Sequence, residues 1–137
     1  MAGYSGTALR KKLGIKDGYR VALIAMPPQL RAELSEALGK CTVATTTAGE
    51  FDLIHLFSKS RAELETELKR AAKSLAPTGM LWASWPKKSS GVATDITEDV
   101  IRGIGLKAGL VDVKVCAVTE VWSGLKFVIP VKNRAAR

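Results

Sequence analysis

The chain of 137 residues has 47% hydrophobic and 25% charged positions, the proportions of an ordinary soluble globule. That length builds one domain around one core, and it excludes a membrane-spanning helix, because a charged residue, Pro or Gly interrupts every apolar run well short of ~20 residues. The formal charge of +8 belongs to the ends: Arg10, Lys11, Lys12, Lys16 and Arg20 face only Asp17 near the start, and Lys132, Arg134 and Arg137 stand without an acidic neighbour at the finish. Two cysteines and no apolar leader point to a reducing cytoplasm and away from a disulfide scaffold.

Residues 6–13 read as a short leading helix stopped by Gly14. Arg20 to Ala25 reads as a buried strand, and Pro27-Pro28 open a helix whose Leu30, Leu34, Ala37 and Leu38 share one face up to Gly39. Cys41 to Thr47 is a second strand and Phe51 to Phe57 a third, buried on both faces. Ser60 with Glu63 forms a capping box ahead of the stripe Leu64, Leu68, Ala71, Ala72 and Leu75, with Pro77 and Gly79 as terminators. Met80 to Trp85 is the next strand, and Trp82 and Trp85 are expected to share a face beneath helices. After the polar run Lys87-Lys88-Ser89-Ser90-Gly91, a helix starts at Thr97 with Ile96 and Ile101 as its hydrophobic staple. Val111 to Thr119 and Leu125 to Val131 read as strands joined by a turn at Ser123-Gly124.

Alternating strands and helices predict a parallel α/β sheet, and the last two strands lie too close for a crossover, so the final one runs antiparallel. This pattern, with Phe51-Asp52-Leu53-Ile54, Pro77-Thr78-Gly79 leading to Trp82, and Gly109-Leu110 before the hairpin, resembles the class I S-adenosylmethionine-dependent methyltransferases. Against that architecture one strand–helix unit is missing between Thr47 and Phe51. The resemblance implies a shortened Rossmann-like, three-layer α/β sandwich of about six strands over residues 1–131, with 132–137 as a basic tail. The strings Ser5-Gly6-Thr7, Lys12-Leu13-Gly14-Ile15-Lys16, Trp85-Pro86-Lys87-Lys88-Ser89-Ser90-Gly91 and Trp122-Ser123-Gly124-Leu125 are also similar to a bacterial domain-of-unknown-function family of short Rossmann-like proteins. That likeness implies a fold and a bacterial cytoplasmic origin, and no activity.

A dinucleotide or S-adenosylmethionine site of this architecture needs a glycine-rich turn after the first strand. The chain offers Ala25-Met26-Pro27-Pro28, where two prolines remove two N–H donors and Met26 fills space that glycine leaves open. Where an acid would take ribose hydroxyls stand Thr45, Thr46 and Thr47, with Glu50 as an approximate substitute. No cofactor is therefore expected, S-adenosylmethionine is disfavoured, and one histidine with two distant cysteines predicts no metal site.

The loop from Lys87 and the turn from Glu120 both follow parallel strands and so emerge on the carboxyl edge of the sheet. Lys87, Lys88, Ser89, Ser90, Gly91, Glu120 and Trp122 are the candidate ligand-binding set, with charge and hydroxyls suited to an anionic small molecule. Asp95 reads first as a helix cap, and His55 as a hydrogen-bonded core residue. The leading expectation is a noncatalytic or cryptic module that binds an anionic small molecule or a protein partner at this edge. One alternative is a divergent S-adenosylmethionine-dependent or other group transferase. Another is nucleic-acid or anionic-surface binding through a patch of Lys16, Arg20, Lys132, Arg134 and Arg137 at the amino edge.

Overall fold

The computed structural model describes residues 6–136. The chain runs α1 (Gly6–Leu13), β1 (Arg20–Ile24), α2 (Pro28–Glu33), α3 (Ser35–Leu38), β2 (Thr42–Ala44), β3 (Phe51–Phe57), α4 (Arg61–Lys73), β4 (Leu75–Pro86), α5 (Glu98–Lys107), β5 (Val111–Ala117) and β6 (Trp122–Val128), with single 3-10 turns at Lys88–Ser90 and Val131–Ala136. The six strands form one sheet in the order β2-β1-β3-β4-β6-β5, in which β6 alone runs antiparallel to its neighbours. Helices cover both faces, giving the α/β sandwich and the reversed last strand that the residue pattern implies.

Strand alternation sorts the core into two layers. Ala22, Ile54, Leu56, Leu81, Ala83, Trp85, Leu125 and Phe127 pack under α4 and α5, while Val21, Leu23, Leu53, Phe57 and Trp82 pack under α1, α2 and α3. Trp82 and Trp85 therefore lie on opposite faces, as an odd spacing of three on a strand requires, and the expectation of a shared face is corrected. Trp82 is fully buried and its indole N–H donates to the Leu13 carbonyl at 2.9 Å, which anchors the end of α1 on the sheet.

Several boundaries move for identifiable reasons. The expected single helix after Pro27 breaks at Leu34, yet Leu34 N–H still bonds Leu30 and Leu38 N–H still bonds Leu34, so Leu30, Leu34, Ala37 and Leu38 stay buried together. Leu75 leaves the α4 stripe and starts β4, pairing with Phe51 before the ladder slips by three residues, Leu53 pairing next with Met80. The last hairpin turns at residues 118–121, where the Thr119 hydroxyl accepts the Val121 and Trp122 N–H groups at 3.1 and 3.0 Å. Ser123 and Gly124 lie inside β6, because a Cβ at 124 would press on Val118, Ser84 and Trp82. Other signals act as read: Ser60 caps α4, Thr97 caps α5, and Ile96 and Ile101 are both buried.

β2 and β3 flank β1, and residues 45–50 connect them directly, with no helix and no further strand. This is the unit missing between Thr47 and Phe51. The short crossover is tied down where the Ser74 hydroxyl donates to the Thr47 carbonyl and where Asp52 accepts the Arg20 N–H at 2.8 Å. It leaves α4 as the helix nearest to β1 on its side of the sheet.

α5 lies so close to β6 that a Cβ at Gly105 would overlap the Phe127 ring, whereas a Cβ at Gly103 meets nothing within 4 Å. Gly105→Ala is therefore expected to destabilise the fold by about 1–3 kcal/mol through overpacking, and Gly103→Ala to stabilise it by up to about 1 kcal/mol through helix propensity. Urea denaturation of the two variants checks both signs; equal effects would contradict the close approach.

Candidate functional site

Five strand ends and their loops make the carboxyl rim. Within the sheet, the chain steps from β1 outward to β2 and then back across to β3, so the topological switch falls between β1 and β3. A cleft of about 510 Å³ opens there, lined by Ile24 and Ala25 after β1, Phe57 and Ser58 after β3, and Ala62, Glu63, Thr66 and Glu67 of α4. Its backbone at Ala25 has φ 58°, a left-handed conformation that a non-glycine residue rarely holds. The turn after β1 thus holds a bend that favours glycine, with alanine in its place.

The polar character of the cleft follows from how α4 is capped. Ser60 accepts the Glu63 N–H at 3.3 Å, and Asp95 accepts the Arg61 N–H at 2.7 Å, so Asp95 caps α4 across the loop. In a full capping box Glu63 would return to the Ser60 N–H. Here the Ser58 hydroxyl takes that N–H at 3.2 Å and itself donates to the Ser60 carbonyl at 2.9 Å. The Glu63 carboxylate is released toward the cleft. Glu67 makes a 3.4 Å ion pair with the exposed Arg70. In a strongly basic chain, this cleft carries two carboxylates and suits a ligand with positive charge.

The residues expected to bind a ligand gather elsewhere on the same rim. Pro86 pairs with Trp122, and Lys87 N–H donates to the Val121 carbonyl at 2.7 Å, so the two loops are neighbours. Lys88 and Ser89 are exposed in the 3-10 turn, and Glu120 is exposed in the hairpin turn. Ser90 is committed to the loop itself: its hydroxyl donates to the Lys87 carbonyl at 2.6 Å and accepts the Val92 N–H at 3.2 Å. Gly91 closes the turn with φ 75°. Trp122 is half-buried, edge-on to Phe57 at 5.2 Å, and closes the core from the side of α1.

The amino-edge charges occupy one rim without merging. Arg20 sits 5.6 Å over the Phe51 ring, Arg134 donates to the Ile129 carbonyl at 3.0 Å, and Lys16 and Lys132 are exposed. β3 and β4 separate the two groups, a gap of roughly 14 Å at the usual strand spacing. Arg137 lies outside the described residues. Cys41 and Cys116 are free thiols near opposite edges of the sheet, and burial raises both above the ordinary thiol value. Among the described residues, no group of three or more His, Cys, Asp or Glu could hold a metal ion, and no helix is long and apolar enough to cross a membrane.

No protein-family model and no curated protein matches the chain. Solved structures do match. The magnesium protoporphyrin IX methyltransferase ChlM from Synechocystis PCC 6803, with bound SAH, superposes with a TM-score of 0.61 at 14% identity, covering 91% of this chain and 83% of that one. The N-methyltransferase NodS from Bradyrhizobium japonicum WM9 gives 0.56 at 18% identity, over 91% and 94%. A TehB-like SAM-dependent methyltransferase from Corynebacterium glutamicum gives 0.54 at 11% identity, over 92% and 88%. The fold is methyltransferase-like. The expectation of no cofactor is corrected on this point, since structures of this fold carry SAH and SAM. That expectation rests on the missing glycines and the missing ribose acid, and the cleft at the switch point is formed by other residues.

Beneath the rim, on the opposite face from the cleft, His55 is buried between Phe57 and Trp82. Its Nε2 lies 2.7 Å from the Ser84 hydroxyl, its Nδ1 has no partner, and burial pulls the imidazole down to about 3. The unfolded chain binds this proton below about pH 6.5 while the folded chain does not, so stability rises with pH across the window between the two values. Well inside that window the fold should lose roughly 1 kcal/mol per pH unit from this group as the pH falls. Urea denaturation across that window should show the slope in the native chain and a flattened one in His55→Gln; identical slopes would refute the assignment.

Proposed function

We propose that the chain is a divergent methyltransferase-like protein that takes S-adenosylmethionine in the cleft between β1 and β3. The observation that carries this reading is the position of the cleft, at the carboxyl ends of the two strands where the sheet reverses its direction of growth. The similarity of the whole fold to methyltransferases with bound SAM or SAH supports it.

The residues present fit the ligand in a way of their own. Pro27 and Pro28 offer no N–H, and β2 ends in Ala44 without an acid, so the usual backbone cradle and ribose carboxylate have no counterpart here. Glu63 and Glu67 instead present negative charge, which complements the sulfonium and the ammonium group of S-adenosylmethionine. Ser58 and Thr66 add hydroxyls, and Ile24 and Phe57 an apolar wall. When bound, S-adenosylmethionine supplies an electrophilic methyl group. The chain's own contribution is to hold the cation against α4 and to orient it toward the rim, where the Lys87–Gly91 loop and Trp122 stand beside the next strands.

Charge separates S-adenosylmethionine from its demethylated product, which lacks the sulfonium. Isothermal titration should show S-adenosylmethionine binding that weakens about tenfold in Glu63→Gln, a loss near 1.4 kcal/mol, with a smaller effect on the product. Failure of both ligands to bind at millimolar concentration would sink the proposal.

A further inference from the structure

β5 contains one extra residue relative to β6. Asp112 pairs with Phe127, and the next pair is Lys114 with Lys126, so Val113 is a bulge. The bulge re-aims Lys114. Without it Lys114 would oppose Leu125 and point to the α4–α5 face, the face on which Asp112 meets Arg102 at 3.0 Å and Arg102 meets Glu98 at 2.7 Å. With it, Lys114 turns to the α1 face, where its ammonium lies 5.9 Å from the centre of the Trp82 ring.

That placement sets two like charges directly opposite each other on an antiparallel ladder, an arrangement that destabilises a sheet. Lys126 is also partly withdrawn from water, and burial together with the Lys114 charge lowers its ammonium below the ordinary value. Neither Lys114 nor Lys126 forms an ion pair among the described residues. Bulges recur where a strand must re-aim a side chain for function, and this one moves Lys114 from the face of Asp112 and Glu98 to a place opposite Lys126.

We propose that Lys114 and Lys126 bind a phosphate group of a small ligand on the α1 face of the sheet, apart from the carboxyl-rim cleft. Two ammonium groups held side by side match the oxygens of a single tetrahedral oxyanion, whereas a nucleic-acid backbone is tracked by cations strung along a groove. Such an anion relieves the repulsion that the bulge creates.

The test is thermal denaturation of the full chain in sodium chloride, sodium phosphate and sodium pyrophosphate at matched ionic strength. Pyrophosphate should raise the melting temperature by several degrees in the native chain and in Lys107→Gln, a control on α5, and should leave Lys114→Gln and Lys126→Gln unmoved. In chloride alone, Lys114→Gln should melt at or above the native temperature, because a repulsion has gone. Lys114 lies on the exposed edge strand, so this variant carries the test even if Lys126→Gln folds poorly. No rise over chloride, or an equal rise in Lys114→Gln, overturns the site. Binding of a single-stranded oligonucleotide that needs these lysines and that pyrophosphate does not compete away overturns the small-ligand assignment.

Discussion

The arrangement of β1 between β2 and β3 is the constraint from which the other features follow. A parallel strand cannot be reached by a hairpin, so the chain must cross a face of the sheet to move from β2 to β3. It does so in residues 45–50 alone, pinned by Ser74 to Thr47 and by Asp52 to the Arg20 amide. Because no helix is spent on that crossing, the flank of α4 beside β1 stays uncovered at the carboxyl end. The cleft is the consequence, and its chemistry is that of the uncovered helix turn: Glu63, Thr66 and Glu67.

Local hydrogen bonding decides which of those groups remain for a ligand. Asp95 and Ser60 satisfy the first N–H groups of α4, so the helix start does not serve as an anion site. Ser58 displaces Glu63 from its capping partner, and the carboxylate becomes part of the cleft lining. A pair of residues that reads as a stability device in the sequence thus contributes charge to a site.

Period and capping signals carried most of the architecture. Apolar runs located β1 and β3, the Ser60 and Thr97 caps located α4 and α5, and the close spacing of the last two strands required the antiparallel β6. Glycines were ambiguous, because close approach and turn formation use the same residue. Gly124 reads as a turn and sits in a strand beneath Val118, while the turn itself is built by the Thr119 hydroxyl. The cleft was not legible, because its walls come from elements that only the sheet order brings together, and Glu63 reads as a cap. The loop at Lys87 to Gly91 was legible as a neighbour of Trp122 on one rim, but Ser90 is taken up by the loop's own closure. The bulge at Val113, which separates Lys114 from Asp112, leaves no mark in a run of alternating valines.

The proposed seat of S-adenosylmethionine is the switch-point cleft, and not the lysine–serine loop. Amide chemical-shift mapping by NMR during titration with S-adenosylmethionine tests it most directly. Shifts are expected to concentrate at Ile24, Ala25, Ser58, Glu63 and Thr66, with Lys88 to Gly91 moving less. Shifts confined to Lys87 through Gly91 and Glu120, or none anywhere, would contradict it.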